Sequence, residues 1–139
     1  MFVILLPFIL FLIFCGYSVL EGWKEGDFFD KWQPKDKSEE GGRHKMWTIQ
    51  RSLVFISMLL ASPGWWIVSL PFVFIFLHDG MYYHTRNKLN SKNYPKGWFD
   101  SSTTSTALSS KFETPIVRTI SFVIGCLILI SYYVLILIK

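Results

Sequence analysis

Apolar positions in this chain fall in long, nearly unbroken runs rather than in the alternating or one-faced patterns of a soluble fold. Met1–Leu20, Ser52–Leu77 and Ile120–Ile138 are dense in aliphatic and aromatic residues, and the charges gather between them. A bilayer core about 30 Å thick asks for about 20 apolar residues of helix. Lipid offers no partner to unpaired backbone groups, so such segments must be helical. The pattern predicts an all-α integral membrane protein.

The middle run is interrupted. Pro63-Gly64 sits near its centre, followed by Trp65 and Trp66. Proline beside glycine marks a turn, and tryptophan favours the headgroup interface. The run therefore reads as a helical hairpin. The expected architecture is a four-segment helical bundle in one membrane domain, 1–139. Its segments are about 1–20, 46–62, 65–83 and 115–138, with loops at 21–45 and 84–114. A re-entrant hairpin, dipping in without crossing, keeps the same sidedness.

Charge placement supports the hairpin. The sequence holds 14 Lys and Arg. With a hairpin, all but Lys139 lie in or beside the two loops on one face, as the positive-inside rule requires. A single middle span would divide them about equally. The expectation is a multi-pass protein with both termini outside and basic loops in the cytoplasm. Met1–Leu20 lacks a basic leading region and is followed by Glu21-Gly22-Trp23 rather than a small-residue cleavage pattern, so it reads as a retained anchor.

Composition changes this picture little. At 51% hydrophobic and 17% charged the totals are near those of soluble domains; the distribution is what differs. The formal net charge of +4 comes from basic residues interleaved with acids, without any nucleic-acid motif. Anionic headgroups are the expected partner, and nucleic acid is not. Cys15 and Cys126 fall inside predicted segments and are expected to be reduced thiols.

Several features bear on packing. Small residues four apart, Ser57 with Ala61 and Ser121 with Gly125, are candidate seams, and Gly16 allows another close approach. Pro7 should bend the first segment. Asp79–Leu89 can continue the third helix despite Gly80, Asn90–Gly97 is turn-like, and Ser101–Ser110 reads as a polar linker. Thr114-Pro115 should start the last helix.

With this topology the polar residues converge on the cytoplasmic end as a structural polar cluster of Glu21, His44, Arg51, His78, Asp79 and Arg118. Ionisable groups at that depth need partners. Equal-depth positions across the hairpin sum to about 129, so Arg51 is expected to pair with Asp79 first and Glu21 second. No residue in the sequence matches a catalytic, cofactor or metal motif: His-Glu-x-x-His, the phosphate-binding loop and Gly-x-Ser-x-Gly are all absent. The function expected is that of a small non-enzymatic membrane protein, a structural, scaffolding or accessory subunit that associates with itself or with protein partners. A viral or phage envelope protein would have the same features. The rival reading is a cytoplasmic-face enzyme with a metal held by His44, His78, Asp79 and His84. A channel or transporter subunit is weaker, because no charge marks a path through the outer half of the membrane.

Overall fold

The structure is a computed structural model that describes residues 2–31, 37–101 and 114–138, with side chains for 4–29, 31, 45–101 and 114–138. Among these residues there are four long helices and no strand. They are α1 (Phe2–Lys31), α2 (Lys37–Ala61), α3 (Ser69–Leu89) and α4 (Pro115–Ile138), with 3-10 turns at Trp65–Val68 and Gly97–Phe99. Three of the helical stretches are long and apolar enough to cross a membrane: Ile4–Phe29, Trp65–Leu89 and Pro115–Ile138.

Two boundaries differ from expectation. α1 does not stop near residue 20 but continues to Lys31, and α2 begins at Lys37 rather than 46. The reason is visible along α1. Pro7, Phe11, Phe14, Ser18, Glu21 and Glu25 are buried, a spacing of three and four residues that keeps one face against the bundle. The apolar content drops at Glu21, yet the buried face does not. α1 also runs through Pro7 as one helix. Residues 102–113, which contain most of the Ser/Thr stretch, lie outside the described residues.

α3 is the hub. It packs against α1 on one side and α4 on the other. Phe14 lies 6.2 Å from Phe74, Gly22 meets the His78 carbonyl, and Gly26 meets Tyr82 and Thr85. Residue numbers rise together along this contact, so α1 and α3 run parallel. α4 is antiparallel to α3: the Phe122 ring lies tilted against Phe76 at 4.8 Å, Gly125 abuts Ser69, Phe72 and Val73, and Tyr132 meets Trp65 at 5.3 Å. Since α1 and α3 point the same way, α2 must carry the chain back along the bundle. Its 25 residues make a rod of about 37 Å, long enough to do so.

The glycine seam between α1 and α3 sits in the part of α1 read from sequence as loop. A Cβ at Gly22 would collide with the His78 carbonyl, and one at Gly26 would come within 2.8 Å of the Tyr82 carbonyl. Gly22 and Gly26 form the small-xxx-small spacing that lets helix backbones approach closely. Gly125 fills the same role between α4 and α3. By contrast, Gly16 has no neighbour within 4 Å of its added Cβ, and Ser57 and Ala61 are exposed on α2.

α2 touches the bundle through side chains more than through backbone approach. Met58 is buried in the apolar core with Phe11, Phe14, Trp66, Leu70 and Val73, while Val54 and Phe55 pack at its edge. Nearer the other end Trp47 meets Phe28 and Phe29 at 6.1 and 5.8 Å. The turn after α2 closes with the Trp66 indole donating to the Ser62 carbonyl at 2.9 Å.

Segment 90–101 is folded rather than slack. The Asn87 amide donates to the Tyr94 carbonyl, Gly97 takes the left-handed conformation at φ 55°, and the Lys96 amide donates to Asp100. Trp98 lies so close to Gly80 that any β-carbon there would overlap its ring. The helix weakness expected at Gly80 is thus the space that admits Trp98. α4 opens as Thr114-Pro115 predicts: Thr114 Oγ1 accepts the Val117 amide at 3.3 Å, capping the first turn.

Candidate functional site

Five ionisable side chains from three helices meet where α1 and α3 approach most closely. α1 supplies Glu21 and Glu25, one turn apart on its buried face. α2 supplies Arg51, and α3 supplies His78 and Asp79. The Arg51 guanidinium reaches both acids: Nε donates to Glu21 at 2.7 Å and Nη2 to Glu25 at 3.1 Å. Glu25 also takes His78 Nε2 at 2.7 Å, so one carboxylate oxygen serves two donors and brings Nη2 within 3.2 Å of the ring nitrogen. On the other side of the ring, Nδ1 meets Asp79 at 2.8 Å. A carboxylate at each ring nitrogen is an arrangement the doubly protonated imidazole satisfies.

The Phe74 ring organises two of these groups. It stacks on His78 at 4.7 Å with an interplanar angle of 19°, and the Arg51 guanidinium lies 4.9 Å from its centroid. Glu21, Glu25 and His78 are buried, with Glu21 only 5% exposed. The second oxygen of Glu21 has no hydrogen-bond partner among the described residues. Beside it, the Gln50 amide donates to the Tyr17 hydroxyl at 3.4 Å, Tyr17 lying one turn before Glu21 on α1.

Of the six residues expected to cluster, the structure brings together Glu21, Arg51, His78 and Asp79. The preferred pairing of Arg51 with Asp79 is not what the geometry shows. Asp79 engages the His78 ring instead, because consecutive residues on α3 point to different sides and His78 takes the side facing α1 and α2. Glu21, the second choice, is a partner; Glu25 is the other, and was not foreseen. Its signal lies in the spacing from Phe14 and Ser18 through Glu21 to Glu25.

Arg118 belongs to a separate site. It is 2% exposed, stacks over Tyr83 at 5.2 Å and donates to the carbonyls of Trp98 and Asp100 at 3.3 and 2.5 Å. It thereby ties α4 to the folded segment after α3. His84 also lies on that side, 6.5 Å from Trp98. It shares a helix face with Phe76 and Gly80, away from His78. His44 lies outside the residues whose side chains are described. Among the described residues no three His, Cys, Asp or Glu side chains are arranged to hold a metal ion. Cys15 and Cys126 are free thiols.

Among the described residues, the class these observations define is an all-helical fold with three helices long and apolar enough to span a membrane. Comparison with models of protein families, with curated proteins and with solved structures found no match.

Proposed function

We propose that this chain is a small non-enzymatic membrane protein, a structural or accessory subunit of a membrane assembly. The carrying observation is that polar residues are buried beside the apolar core while many large apolar residues are exposed. Ser18, Glu21, Glu25, Ser69, His78, Thr85 and Arg118 are buried, while large apolar residues such as Leu12, Ile13, Leu60, Ile116, Leu127 and Ile138 are exposed. A protein in water seldom buries several charged side chains while exposing so many large aliphatic ones. Of the buried polar groups, Glu21, Glu25 and His78 join α1, α2 and α3 through side-chain hydrogen bonds, as polar groups do between membrane helices. Arg118 ties α4 to the segment after α3, and Ser18, Ser69 and Thr85 bond to carbonyls three or four residues earlier. α4 has only 11% of its most apolar window buried within the chain, leaving its outward surface for lipid and for partners.

In this reading α1, α3 and α4 cross the bilayer and α2 crosses with them. The parallel course of α1 and α3 supports that fourth crossing, since a chain spanning twice in one direction must return between. The basic loops then share the cytoplasmic face, with both termini outside. Single cysteines placed at exposed Lys45, Pro63 and Ser91, in a chain with both native cysteines replaced, test this. Lys45→Cys and Ser91→Cys should label from the cytoplasmic side, and Pro63→Cys from the other. Labelling of Lys45→Cys and Pro63→Cys from one side would remove α2 from the membrane. Partnership is tested by mild-detergent purification with mass measurement. A stoichiometric complex heavier than the 16.2 kDa chain is expected, and a lone monomer from native membranes would overturn the subunit assignment.

A further inference from the structure

Because α2 stands off from α1 and α3, a groove of about 390 Å³ remains between the three helices. That volume falls in the range of small-molecule sites. The groove is graded along its length. At one end stand Tyr17, Arg51 and Ser52; deeper along the same helices its walls are Phe14, Ile56 and Pro71. Arg51 presents its Nε and Nη2 edge to Glu21 and Glu25. This uses the side fork of a planar guanidinium. The remaining nitrogen, Nη1, has no hydrogen bond among the described residues, and the side chain is 32% exposed.

We infer that the groove holds one acyl chain of a bilayer phospholipid, with the ester carbonyl of that chain accepting from Arg51 Nη1. The inference rests on the membrane reading above. Charge selects the carbonyl over the phosphate. Three carboxylates, Glu21, Glu25 and Asp79, outnumber Arg51 and His78 around this point, so a phosphate anion at Nη1 would meet net repulsion. A neutral acceptor meets none. An unpaired guanidinium edge beside lipid is costly, and an apolar chain matches the deeper walls. Binding should therefore be indifferent to headgroup charge.

The test uses the full chain reconstituted in nanodiscs holding equal amounts of phosphatidylcholine and phosphatidylglycerol, followed by native mass spectrometry. One phospholipid per chain should be retained, with the two classes within about twofold of each other, a difference well under the 1.4 kcal/mol that marks a tenfold ratio. Ile56→Trp and Pro71→Phe fill the groove from opposite walls. Each should cut retention about tenfold or more, while helix content by circular dichroism is unchanged. No retained lipid, a tenfold preference for phosphatidylglycerol, or undiminished retention by both folded variants would overturn the assignment. Prior alkaline carbonate extraction separates the two readings: a chain that leaves the membrane fails as a membrane protein, whereas one that stays but retains no lipid fails only here.

Discussion

Arg51 shows how far position alone carries an inference. Its place just inside an apolar run is enough to require a carboxylate partner, and the depth relation across the hairpin points to the neighbourhood of residue 78. That relation locates His78 correctly in depth but says nothing about which way each side chain turns. His78 and Asp79 differ by about 100° around α3, and the ring is the one that faces α2. Glu25 was hidden because a span boundary drawn at Glu21 treats it as loop. The geometry yields a double-mutant cycle. Arg51→Leu strands two buried carboxylates and should destabilise by about 3 kcal/mol, near the range for broken buried pairs. In chemical denaturation in detergent, Arg51→Leu should couple strongly to Glu21→Gln and weakly to Asp79→Asn. Strong coupling to Asp79→Asn with weak coupling to Glu21→Gln would mean that Asp79, not Glu21, is the direct partner.

At the scale of elements, the sequence exposes the turn at Pro63-Gly64, the start of α4 and the continuation of α3 to Leu89. Each depends on local chemistry: a proline, a cap, a run of helix-compatible residues. The α1–α3 seam was not legible in the same way, because Gly22-x-x-x-Gly26 lies among charges and only the partner helix gives the spacing its meaning. Conversely, Gly16 sits in an apolar run and looked like a packing site, yet no neighbour approaches it. The contrast makes a paired prediction. Gly22→Leu should separate α1 from α3 and lower the thermal midpoint in detergent, at a cost of about 1–3 kcal/mol or more, as for overpacked cores. Gly16→Leu should leave the midpoint nearly unchanged. Similar midpoints for both variants would mean that α1 and α3 are not in backbone contact at Gly22.

For the whole molecule, the distribution of apolar runs was sufficient to suggest helices that suit a bilayer, since no soluble fold needs such lengths. What periodicity cannot reveal is direction. Charge placement implies it, since a hairpin with both loops on one face makes the first and third segments parallel. Contacts such as Phe14 with Phe74 and Gly26 with Tyr82 give α1 and α3 that parallel course. If the exposed apolar surface faces lipid, the chain should remain in the membrane pellet after alkaline carbonate extraction and enter the supernatant only with detergent. Release by carbonate alone would show that its apolar faces are covered by protein instead.

The Arg51 bridge to Glu21 and Glu25 has a consequence in time. Synthesis presents the N-terminal part of a chain first, so α1 exists before α2 is made. Until then its two acids lack their cation, and burying them alone is unfavourable. The newborn α1 should ride high, with both carboxylates at the water boundary. When Arg51 emerges it offsets one of the two charges, and His78 of α3 offsets the other at Glu25, so both acids can enter the apolar layer once α2 and α3 are in place. The later helices then do more than join the first: their arrival draws α1 to its final depth.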